Sequence, residues 1–371
     1  MARLVAHLIN LNETPANPPF SGAENHLWVL LPALAAAGVP VELIVLLQSA
    51  GPAIEARLAE LTAADIAVHR VPYHRRVDPV AVARLRARLA ERRPGILHTH
   101  MLPADLHGGL AARLVPGVAV TSTVHNDEPK YLRPGWRHLV RAVAGLAAHH
   151  VAISERVRRY LIDGLGLAPG RVSVTPYGIP PPREIGDARA RARAELGIAA
   201  DVFAVGFVGR LVAQKNVDLL VAAMARLPGA RCVIIGDGPL RTALAAQAAR
   251  CPNVTLVGHR PNAEALMPGF DVLCLPSRWE GLGLVLVEAM LRGVPVVGSR
   301  AGAIPEVLGD GAYGVLFESG DEDGLVAAIT RARIDGPELA TRALVHAREV
   351  FSVDRMVMRT LAVYDRLALL H

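Results

Sequence analysis

Aromatic residues and cysteines are scarce in this sequence. Only 4% of the 371 residues are Phe, Trp or Tyr although 52% are hydrophobic, so the cores must be built mainly from Ala, Val and Leu. The three cysteines, Cys232, Cys251 and Cys274, share no metal-ligand spacing. Cys232 and Cys274 fall in predicted strands, which indicates small buried hydrophobic residues in a reducing compartment.

Signals for export or membrane insertion are also lacking. The N-terminal MARLVAHLINL has neither the long apolar core nor the cleavage site of a signal peptide. The apolar stretch at residues 29–47 is long enough to span a bilayer, but Pro32, Gly38 and Pro40 divide it into a predicted helix, turn and strand. We therefore expect a cytoplasmic protein without a transmembrane segment.

Acidic residues are few in the first half of the chain. Residues 1–182 hold 19 basic and 13 acidic side chains and residues 183–371 hold 21 of each, so the net charge of +6 lies in the first half. Such an excess suits nucleic acid, an anionic membrane surface or an acidic substrate. No basic–aromatic alternation or RNA-binding motif accompanies it, so we expect no nucleic-acid partner. A GxGxxG fingerprint is absent too, which argues against an NAD-dependent dehydrogenase.

Apolar strands alternate with helices along the whole chain. This pattern predicts an α/β protein whose parallel sheets are covered on both faces. The proline-rich segment 178–187 predicts a linker. We therefore expect two doubly wound, Rossmann-like domains, 1–182 and 183–351, that face a cleft, while the pattern of the last helix, 352–369, does not reveal its partner. The strands are predicted at 3–9, 41–47, 66–71, 95–100, 118–125, 150–154, 172–176, 203–209, 232–236, 254–258, 272–276, 294–299 and 314–317.

Two glutamates stand out in SRWEGLGLVLVEAM, which follows a predicted strand. In such sheets ligands bind at the carboxyl ends of the strands. The amides of Leu282, Gly283 and Leu284 lack intrahelical partners at the start of the next helix, and beside Glu280 they suit a polyhydroxylated ligand. Glu288 lies two turns into the helix on an apolar face, where a ribose diol would satisfy its carboxylate. The alternatives are an acid favoured by the helix dipole for Glu280 and a buried structural ion pair for Glu288.

Two cations flank the loop after the predicted strand 203–209. Arg210 and Lys215 precede a predicted helix, and cations at the carboxyl end of a strand can clamp a diphosphate. The chain has 38 arginines but only two lysines, Lys130 and Lys215. Because surface cations in this chain are almost always arginine, a lysine at position 215 indicates a specific role. A solvated loop at a helix start is the alternative.

Weaker signals lie in the first half. In FSGAENH the small residues Gly22 and Ala23, at a helix start, let backbone amides meet a phosphate or sugar. His125 ends a predicted buried strand and could orient a substrate or move a proton, although an isolated histidine is more often structural. His98 and His100 are expected to alternate across their strand, so that at most one faces the cleft. No metal site is predicted, because no third ligand is placed.

The segment KYLRPGWRHLVRAVAGLAAHH, residues 130–150, is basic and amphipathic. Its cations Lys130, Arg133, Arg137 and Arg141 are interspersed with apolar side chains, a pattern that suits contact with an anionic membrane. An ordinary surface helix with one buried face gives the same pattern.

The order and spacing of these motifs resemble a family 4 retaining glycosyltransferase of the GT-B fold. In the second half the matching motifs are FVGRLVAQKN, IIGDGP, VTLVG, EGLGLVLVE with its two acids eight positions apart, and AGAIPEV. In the first half SGAE, HTH, the VH at 124–125, AISE and VTPYGI match as well. The resemblance covers nearly the whole chain. It departs from the family at Ser21, where glycine is usual, and at YGIPPP, where Asn-Gly-Val-Asp is common.

The resemblance implies roles in the second half. Glu280 would contact the donor sugar's hydroxyls beside the amides of 282–284, and Glu288 would bind the ribose diol. Arg210 and Lys215 would hold the diphosphate and stabilise it as the leaving group.

The resemblance also implies roles in the first half. The amide of Gly22, with Ala23 beside it, would reach the phosphate or the reacting centre, and His125 would lie beside the sugar. The family uses no metal and no cofactor, since the nucleotide-sugar is a co-substrate. Its last helix typically crosses back to the first domain, which would place 352–371 there.

The implied function is retaining transfer of a hexosyl unit from a UDP- or GDP-sugar to an acceptor hydroxyl. The basic first half and the segment 130–150 favour a lipid-linked or anionic acceptor. We therefore expect a saccharide or lipid-linked acceptor in cell-surface polysaccharide or glycolipid assembly, with the protein peripheral on the inner face of the membrane. The alternatives are glycosylation of a small specialised metabolite, a sugar-nucleotide 2-epimerase, and a non-catalytic nucleotide-sugar-binding scaffold. A phosphorylase is nearly excluded, because Lys130 and Lys215 are the only lysines that could carry pyridoxal phosphate.

Overall fold

The computed structural model describes residues 3–12, 22–182 and 187–369. The chain divides into two compact units, the first of residues 1–178 and 353–371 and the second of residues 179–352. Residues 179–182 and 352 thus fall in the second unit, whereas the sequence boundaries had assigned them to the first domain and the last helix. Part of the predicted linker, 183–186, lies outside the described residues.

Strands and helices alternate as the sequence pattern predicts. The strands are β1 (Val5–Leu11), β2 (Val41–Leu47), β3 (Ala67–Pro72), β4 (Ile96–His100), β5 (Ala119–Val124), β6 (His149–Ala152), β7 (Val172–Val174), β8 (Phe203–Val208), β9 (Ala230–Ile235), β10 (Val254–Gly258), β11 (Val272–Leu275), β12 (Val296–Ser299) and β13 (Val315–Phe317). The helices are α1 (Gly22–Ala36), α2 (Pro52–Ala63), α3 (Pro79–Arg92), α4 (Leu102–Ala112), α5 (Pro134–Ala144), α6 (Glu155–Arg159), α7 (Ala188–Leu196), α8 (Val217–Ala225), α9 (Arg241–Ala248), α10 (Leu284–Met290), α11 (Ile304–Val307), α12 (Glu322–Val350) and α13 (Val353–Ala368).

Each unit is built on one parallel sheet, so the predicted fold class is confirmed. The first sheet has seven strands in the order β3-β2-β1-β4-β5-β6-β7, and the second has six in the order β10-β9-β8-β11-β12-β13. In both, the strand order reverses beside the first strand of the unit, between β1 and β4 and between β8 and β11. Loops at the carboxyl ends of these strand pairs diverge, and ligands of such sheets bind at this switch point.

Short polar side chains determine where several helices begin. The Asp78 carboxylate accepts hydrogen bonds from the amides of Val80 and Ala81, at 3.0 and 3.2 Å, and Pro79 takes the first helical position of α3. Asp321 caps α12 in the same way by accepting from the Gly324 amide at 3.0 Å. These caps satisfy amides that have no partner inside the helix.

The core of the first unit includes the last helix. Met356 and Leu367 of α13 are buried in one cluster with Leu27 of α1 and with Val5 and Ile9 of β1. Complete burial of such a side chain stabilises the fold by about 1.5–3 kcal/mol, so α13 is an integral layer of this unit. The pattern of the helix alone did not reveal this partner, whereas the resemblance placed the last helix on the first domain.

Two segments that the sequence analysis considered for membrane contact can be compared with the structure. The apolar stretch 29–47 is divided as expected, because α1 ends at Ala36 and β2 begins at Val41. The basic amphipathic helix is shorter than 130–150: a 3₁₀ turn at Pro129–Leu132 precedes α5, and His149 already belongs to β6. Within the described residues, we find no helix with the length and apolarity that a bilayer crossing requires.

Candidate functional site

The second unit brings Lys215 and Glu280 together. The loop after β8 and the loop after β11 leave neighbouring parallel strands, so residues far apart in sequence meet at one sheet edge. The Lys215 Nζ atom lies 2.5 Å from Glu280 Oε1, and the Ser277 hydroxyl donates to the same oxygen at 2.6 Å. Exposure of the side chains is 19% for Lys215 and 7% for Glu280, so a ligand can reach a largely desolvated ion pair.

The backbone of Glu280 is fixed by a glycine that the sequence analysis did not single out. The Ala303 amide donates to the Glu280 carbonyl oxygen at 2.9 Å. A Cβ atom on Gly302 would lie 2.2 Å from that oxygen and 2.3 Å from the Glu280 nitrogen, and the φ of Gly302 is +57°. Only glycine permits this approach. Gly302 is the second residue of the AGAIPEV motif, which matched the family in the sequence without indicating a role for this glycine.

The amides beside Glu280 lie just before α10 and at its first residue. α10 begins at Leu284, so Leu282 and Gly283 precede the helix instead of lying in it, and Gly283 adopts a φ of +85° as the residue before it. No acceptor for the amides of Leu282, Gly283 and Leu284 is found among the described residues. Amides without partners at this position suit anionic or hydroxyl oxygens.

Glu288 has the features of a carboxylate that needs a partner. Burial raises its pKa to about 7, against the opposing effects of Arg292 and Lys215. No hydrogen bond or ion pair of its carboxylate is found in the described part of the chain, and Arg292 donates instead to the Glu288 backbone oxygen, at 2.9 Å. The structural ion pair considered as an alternative is therefore not formed among these residues.

Arg210 lies on the surface of the loop that follows β8. The backbone of this loop is held by the IIGDGP segment and the residue after it. The Leu211 amide donates to the Asp237 carbonyl oxygen at 2.8 Å, and the Leu240 amide donates to the Leu211 carbonyl oxygen at 3.0 Å. The loop therefore has a fixed path, while the guanidinium is accessible to a ligand.

A cavity of about 530 Å³ in the second unit lies away from these residues. It is lined in part by Phe203, Asp271, Pro295 and Arg333, at the amino-terminal edge of the sheet. None of the predicted donor-site residues lines it. We place the candidate site at the opposite edge, because that is where the unpaired amides and the Lys215–Glu280 pair converge.

In the first unit Gly22 and Ala23 begin α1, next to the switch point between β1 and β4. Gly22 is partly exposed and Ala23 is buried. This placement puts the amino-terminal end of a 15-residue helix at the carboxyl edge of the sheet. The departure noted at Ser21 lies outside the described residues.

His125 follows β5 and is held by two ring contacts. Its Nδ1 atom is hydrogen-bonded to the Tyr177 hydroxyl, and its Nε2 atom lies 3.2 Å from Nδ1 of His100. Burial, together with the nearby His26, lowers the pKa of His125 well below the usual value. The imidazole is therefore neutral at neutral pH and can donate or accept, but it does not act as a fixed positive charge.

The expectation that His98 and His100 alternate across the strand was wrong. Residues two apart in a strand share a face, and the two rings stack with centroids 4.4 Å apart. The sequence analysis also missed His7, whose position in β1 pairs with His98 in β4. One nitrogen from each of His7, His98 and His100 lies within 4.8 Å of the others, and these three are the described residues that could hold a metal.

The basic segment of the first unit exposes apolar side chains. Leu132 in the 3₁₀ turn is 40% exposed, and Trp136 and Leu139 in α5 are 38% and 51% exposed, whereas Val140 and Val143 of α5 are buried. The helix thus has a buried face, as an ordinary surface helix does, and also an exposed apolar face among its cations.

Comparison with known sequences agrees with this architecture. The sequence model described as Glycosyltransferase Family 4 matches residues 20–183, and the one described as Glycosyl transferases group 1 matches residues 203–335. The UDP-glucose complex of the Anabaena protein Alr3699/HepE superposes with a TM-score of 0.83 over 98% of this chain and all of that one, at 22% identity. Identity at this level supports the fold alone, which is the predicted GT-B fold.

Two curated relatives extend the comparison. The sulfoquinovosyl transferase SQD2 of Arabidopsis thaliana is 29% identical over 75% of this chain and 55% of its own length. The chain spans about half the length of several such relatives. The 2-deoxystreptamine glucosyltransferase of Streptomyces kanamyceticus is 33% identical over 71% of this chain and 74% of its own length. The chain therefore belongs to glycosyltransferase family 4.

Proposed function

We propose that this chain transfers a hexosyl unit, with retention of configuration, from a UDP- or GDP-sugar to an acceptor hydroxyl. The observation that carries the proposal is the Lys215–Glu280 pair, 2.5 Å apart and next to the three amides without partners at 282–284. At one sheet edge the cation and the amides can bind the negatively charged diphosphate, and the carboxylate can accept hydrogen bonds from the sugar hydroxyls.

The residues suggest how the leaving group is stabilised. Lysine carries three donors, so Lys215 can contact a diphosphate oxygen and still contact Glu280, while Arg210 approaches the same group from the surface. Preorganised cations and amides stabilise negative charge as it develops on the departing diphosphate. We assign Glu280 to the sugar hydroxyls and Glu288 to the ribose diol, whose hydroxyls can donate to its unpaired carboxylate.

The expected route for this family is front-face displacement, in which the departing phosphate assists deprotonation of the acceptor. The neutral His125 would orient the sugar or the acceptor hydroxyl, and the amide of Gly22, next to Ala23, would contact phosphate or the reacting group. None of these roles requires a metal or a cofactor.

The proposed acceptor is a saccharide or lipid-linked molecule at an anionic membrane surface. The exposed Trp136 and Leu139 lie among the cations Lys130, Arg133 and Arg137, which supports peripheral contact. A small soluble acceptor is the second candidate, because the relative from Streptomyces kanamyceticus is named for glucosylation of 2-deoxystreptamine.

Thermal unfolding with UDP, GDP, ADP and dTDP tests the donor site. A nucleotide at a hundred times its dissociation constant stabilises the folded protein by about 2.7 kcal/mol, which raises the Tm of a unit of this size by roughly 5–10 °C. We expect a rise with UDP or GDP that is lost in Lys215→Ala and kept in Lys130→Ala, which removes the other lysine. No shift with any nucleotide would contradict the proposal. A shift without sugar transfer to any acceptor would favour the nucleotide-sugar-binding scaffold, and turnover of the sugar nucleotide without an acceptor would favour an epimerase.

A further inference from the structure

Four histidines and two tyrosines of the first unit form one continuous line of hydrogen bonds. Starting from the buried end, Thr123 Oγ1 lies 2.7 Å from His98 Nε2, and His98 Nδ1 lies 2.8 Å from the Tyr364 hydroxyl. That hydroxyl is 3.1 Å from His7 Nε2, and His7 Nδ1 is 3.1 Å from His100 Nε2.

The line continues to His125, a predicted site residue of the first unit. His100 Nδ1 contacts His125 Nε2 at 3.2 Å, and His125 Nδ1 contacts the Tyr177 hydroxyl. We call the whole series, from Thr123 to Tyr177, the imidazole chain. It joins side chains of β1, β4, β5 and α13 to the loop residues His125 and Tyr177.

The imidazole chain has two arrangements in which every proton is shared between neighbours. A neutral imidazole carries one proton, so it donates through one nitrogen and accepts through the other. When the Tyr364 hydroxyl donates to one of its two rings and accepts from the other, each link fixes the direction of the next. In one arrangement all four rings carry the proton on Nε2 and Tyr177 donates to His125, whereas in the other all four carry it on Nδ1 and Tyr177 accepts.

Burial keeps these rings neutral. Burial and the neighbouring histidines lower the pKa of His98 and His100 well below the usual value, and the pKa of His7 falls to about 3. The imidazole chain ends at Thr123, which is buried, so a proton cannot pass from this end to solvent. The imidazole chain is thus suited to fixing tautomers and poorly suited to storing or conducting a proton.

The same geometry is unfavourable for a metal ion. The rings of His7 and His100 are stacked at an interplanar angle of 13°, and those of His98 and His100 at 24°. Stacked rings direct their lone pairs along parallel planes. A tetrahedral zinc ion needs nitrogens that converge at about 2.0–2.1 Å from one point, whereas these nitrogens spread over up to 4.8 Å.

We infer that His7, His100 and Tyr364 are positioning residues that set the tautomer and the ring orientation of His125 through the imidazole chain. This inference rests on the proposed function for its catalytic meaning, because His125 is there assigned to the sugar or the acceptor hydroxyl. A ring that must contact a hydroxyl needs a defined nitrogen as donor and the other as acceptor. The imidazole chain determines, from the interior of the first unit, which nitrogen of His125 donates and which accepts.

The test is Tyr364→Phe, which removes the hydroxyl between His98 and His7 and keeps the ring. In either arrangement His7 Nε2 loses its partner, so His7, His100 and His125 are uncoupled from His98 and Thr123, and the tautomer preference that these residues impose on His125 is lost. Nitrogen-15 NMR of the imidazoles distinguishes the two tautomers in the whole protein. Tyr160→Phe is the matched control, because the Tyr160 hydroxyl is buried in the same unit and has no partner among the described residues.

We expect one common tautomer at His7, His98, His100 and His125 in the unaltered protein, and a changed tautomer population at His125 in Tyr364→Phe but not in Tyr160→Phe. Turnover should fall about tenfold in Tyr364→Phe with the donor KM within about twofold, a smaller loss than the roughly 10²–10⁴-fold of a direct proton-transfer group.

Three results would overturn the inference. The first is a mixture of tautomers in the unaltered protein. The second is a His125 nitrogen-15 signal that is the same in Tyr364→Phe as in the unaltered protein. The third is stoichiometric Zn²⁺ binding that shifts the nitrogen-15 signals of His7, His98 and His100 alone. Absence of sugar transfer in the unaltered protein would instead refute the proposed function, and the NMR result would still decide whether the imidazole chain exists.

Discussion

Mild acid should destabilise this protein strongly, because the first unit buries neutral histidines. Burial lowers the pKa of His7 and of His26 from 6.5 to about 3. It lowers those of His98, His100 and His125 well below 6.5. The unfolded chain binds a proton at each ring as the pH falls through 6.5, whereas the folded protein does not. Stability is therefore complete above about pH 6.5 and is lost as the pH falls towards the folded-state values.

The magnitude follows from proton linkage. Besides His7 and His26, burial lowers the pKa of His149 and of His150 to about 4. At pH 5.5 an imidazole with the unfolded pKa is about 90% protonated, so unfolding takes up roughly three to four protons at these four rings. Between pH 7 and 5.5 each ring costs the folded state about 1.2 kcal/mol, or about 5 kcal/mol together. Two acids oppose this, because burial raises the pKa of Asp105 to about 6 and that of Glu288 to about 7. Their protonation stabilises the folded state by about 2 kcal/mol, which leaves a net loss of about 3 kcal/mol, to which His98, His100 and His125 add.

Urea unfolding followed by far-ultraviolet circular dichroism at half-unit steps from pH 7.0 to 5.5 measures this loss. Hydrogen exchange of peptides from β1 and β4 assigns it to the first unit. Peptides of the second unit are the internal control, since the shifted pKa of Glu288 acts there in the opposite direction. A free energy of unfolding that stays within 1 kcal/mol over this range, or native His7 and His100 signals that titrate near pH 6.5, would refute the reasoning.

Three further predictions concern the candidate site and one concerns membrane contact. Gly302→Ala should destabilise the second unit by about 2–4 kcal/mol, because a methyl group collides with the Glu280 backbone, and a Tm equal to that of the unaltered protein would contradict the assigned role. Glu288→Ala should weaken donor binding about 10- to 100-fold in calorimetric titration, and normal affinity would exclude ribose recognition. Glu280→Gln should lower turnover about 100-fold with a much smaller change in nucleotide affinity, so unchanged turnover would count against it. Arg137→Glu should reduce flotation with vesicles containing anionic lipid, and equal flotation would leave α5 as an ordinary surface helix.

The contact between Lys215 and Glu280 was predictable because the signals of both residues are local. Glu280 and Lys215 each follow an apolar strand, and loops at the carboxyl ends of parallel strands share one edge of the sheet. That rule requires no knowledge of side-chain packing. It did not reveal Gly302, because a loop that only passes behind Glu280 carries no chemical signal of its own beyond a small residue.

The histidines of the first unit were harder to interpret. His98 and His100 were visible in the sequence, but their shared face was misjudged, and His7 drew no attention in an apolar strand. Tyr364 lies in the last helix, 266 residues beyond His98. Nothing in a local pattern connects residues at that separation, so a hydrogen-bonded cluster of this kind cannot be found by motif.

By itself the sequence determined the alternation of strands and helices, two parallel sheets, the motifs at their carboxyl edges and the family. These follow from apolar periodicity, prolines and glycines, which act on neighbouring residues. Only the tertiary structure decided which strands are neighbours, which residues of α1 and β1 pack against α13, and that buried imidazoles from β1 and β4 meet a tyrosine of α13. Those contacts depend on strand order and register, which arise when distant segments bury their surfaces against each other.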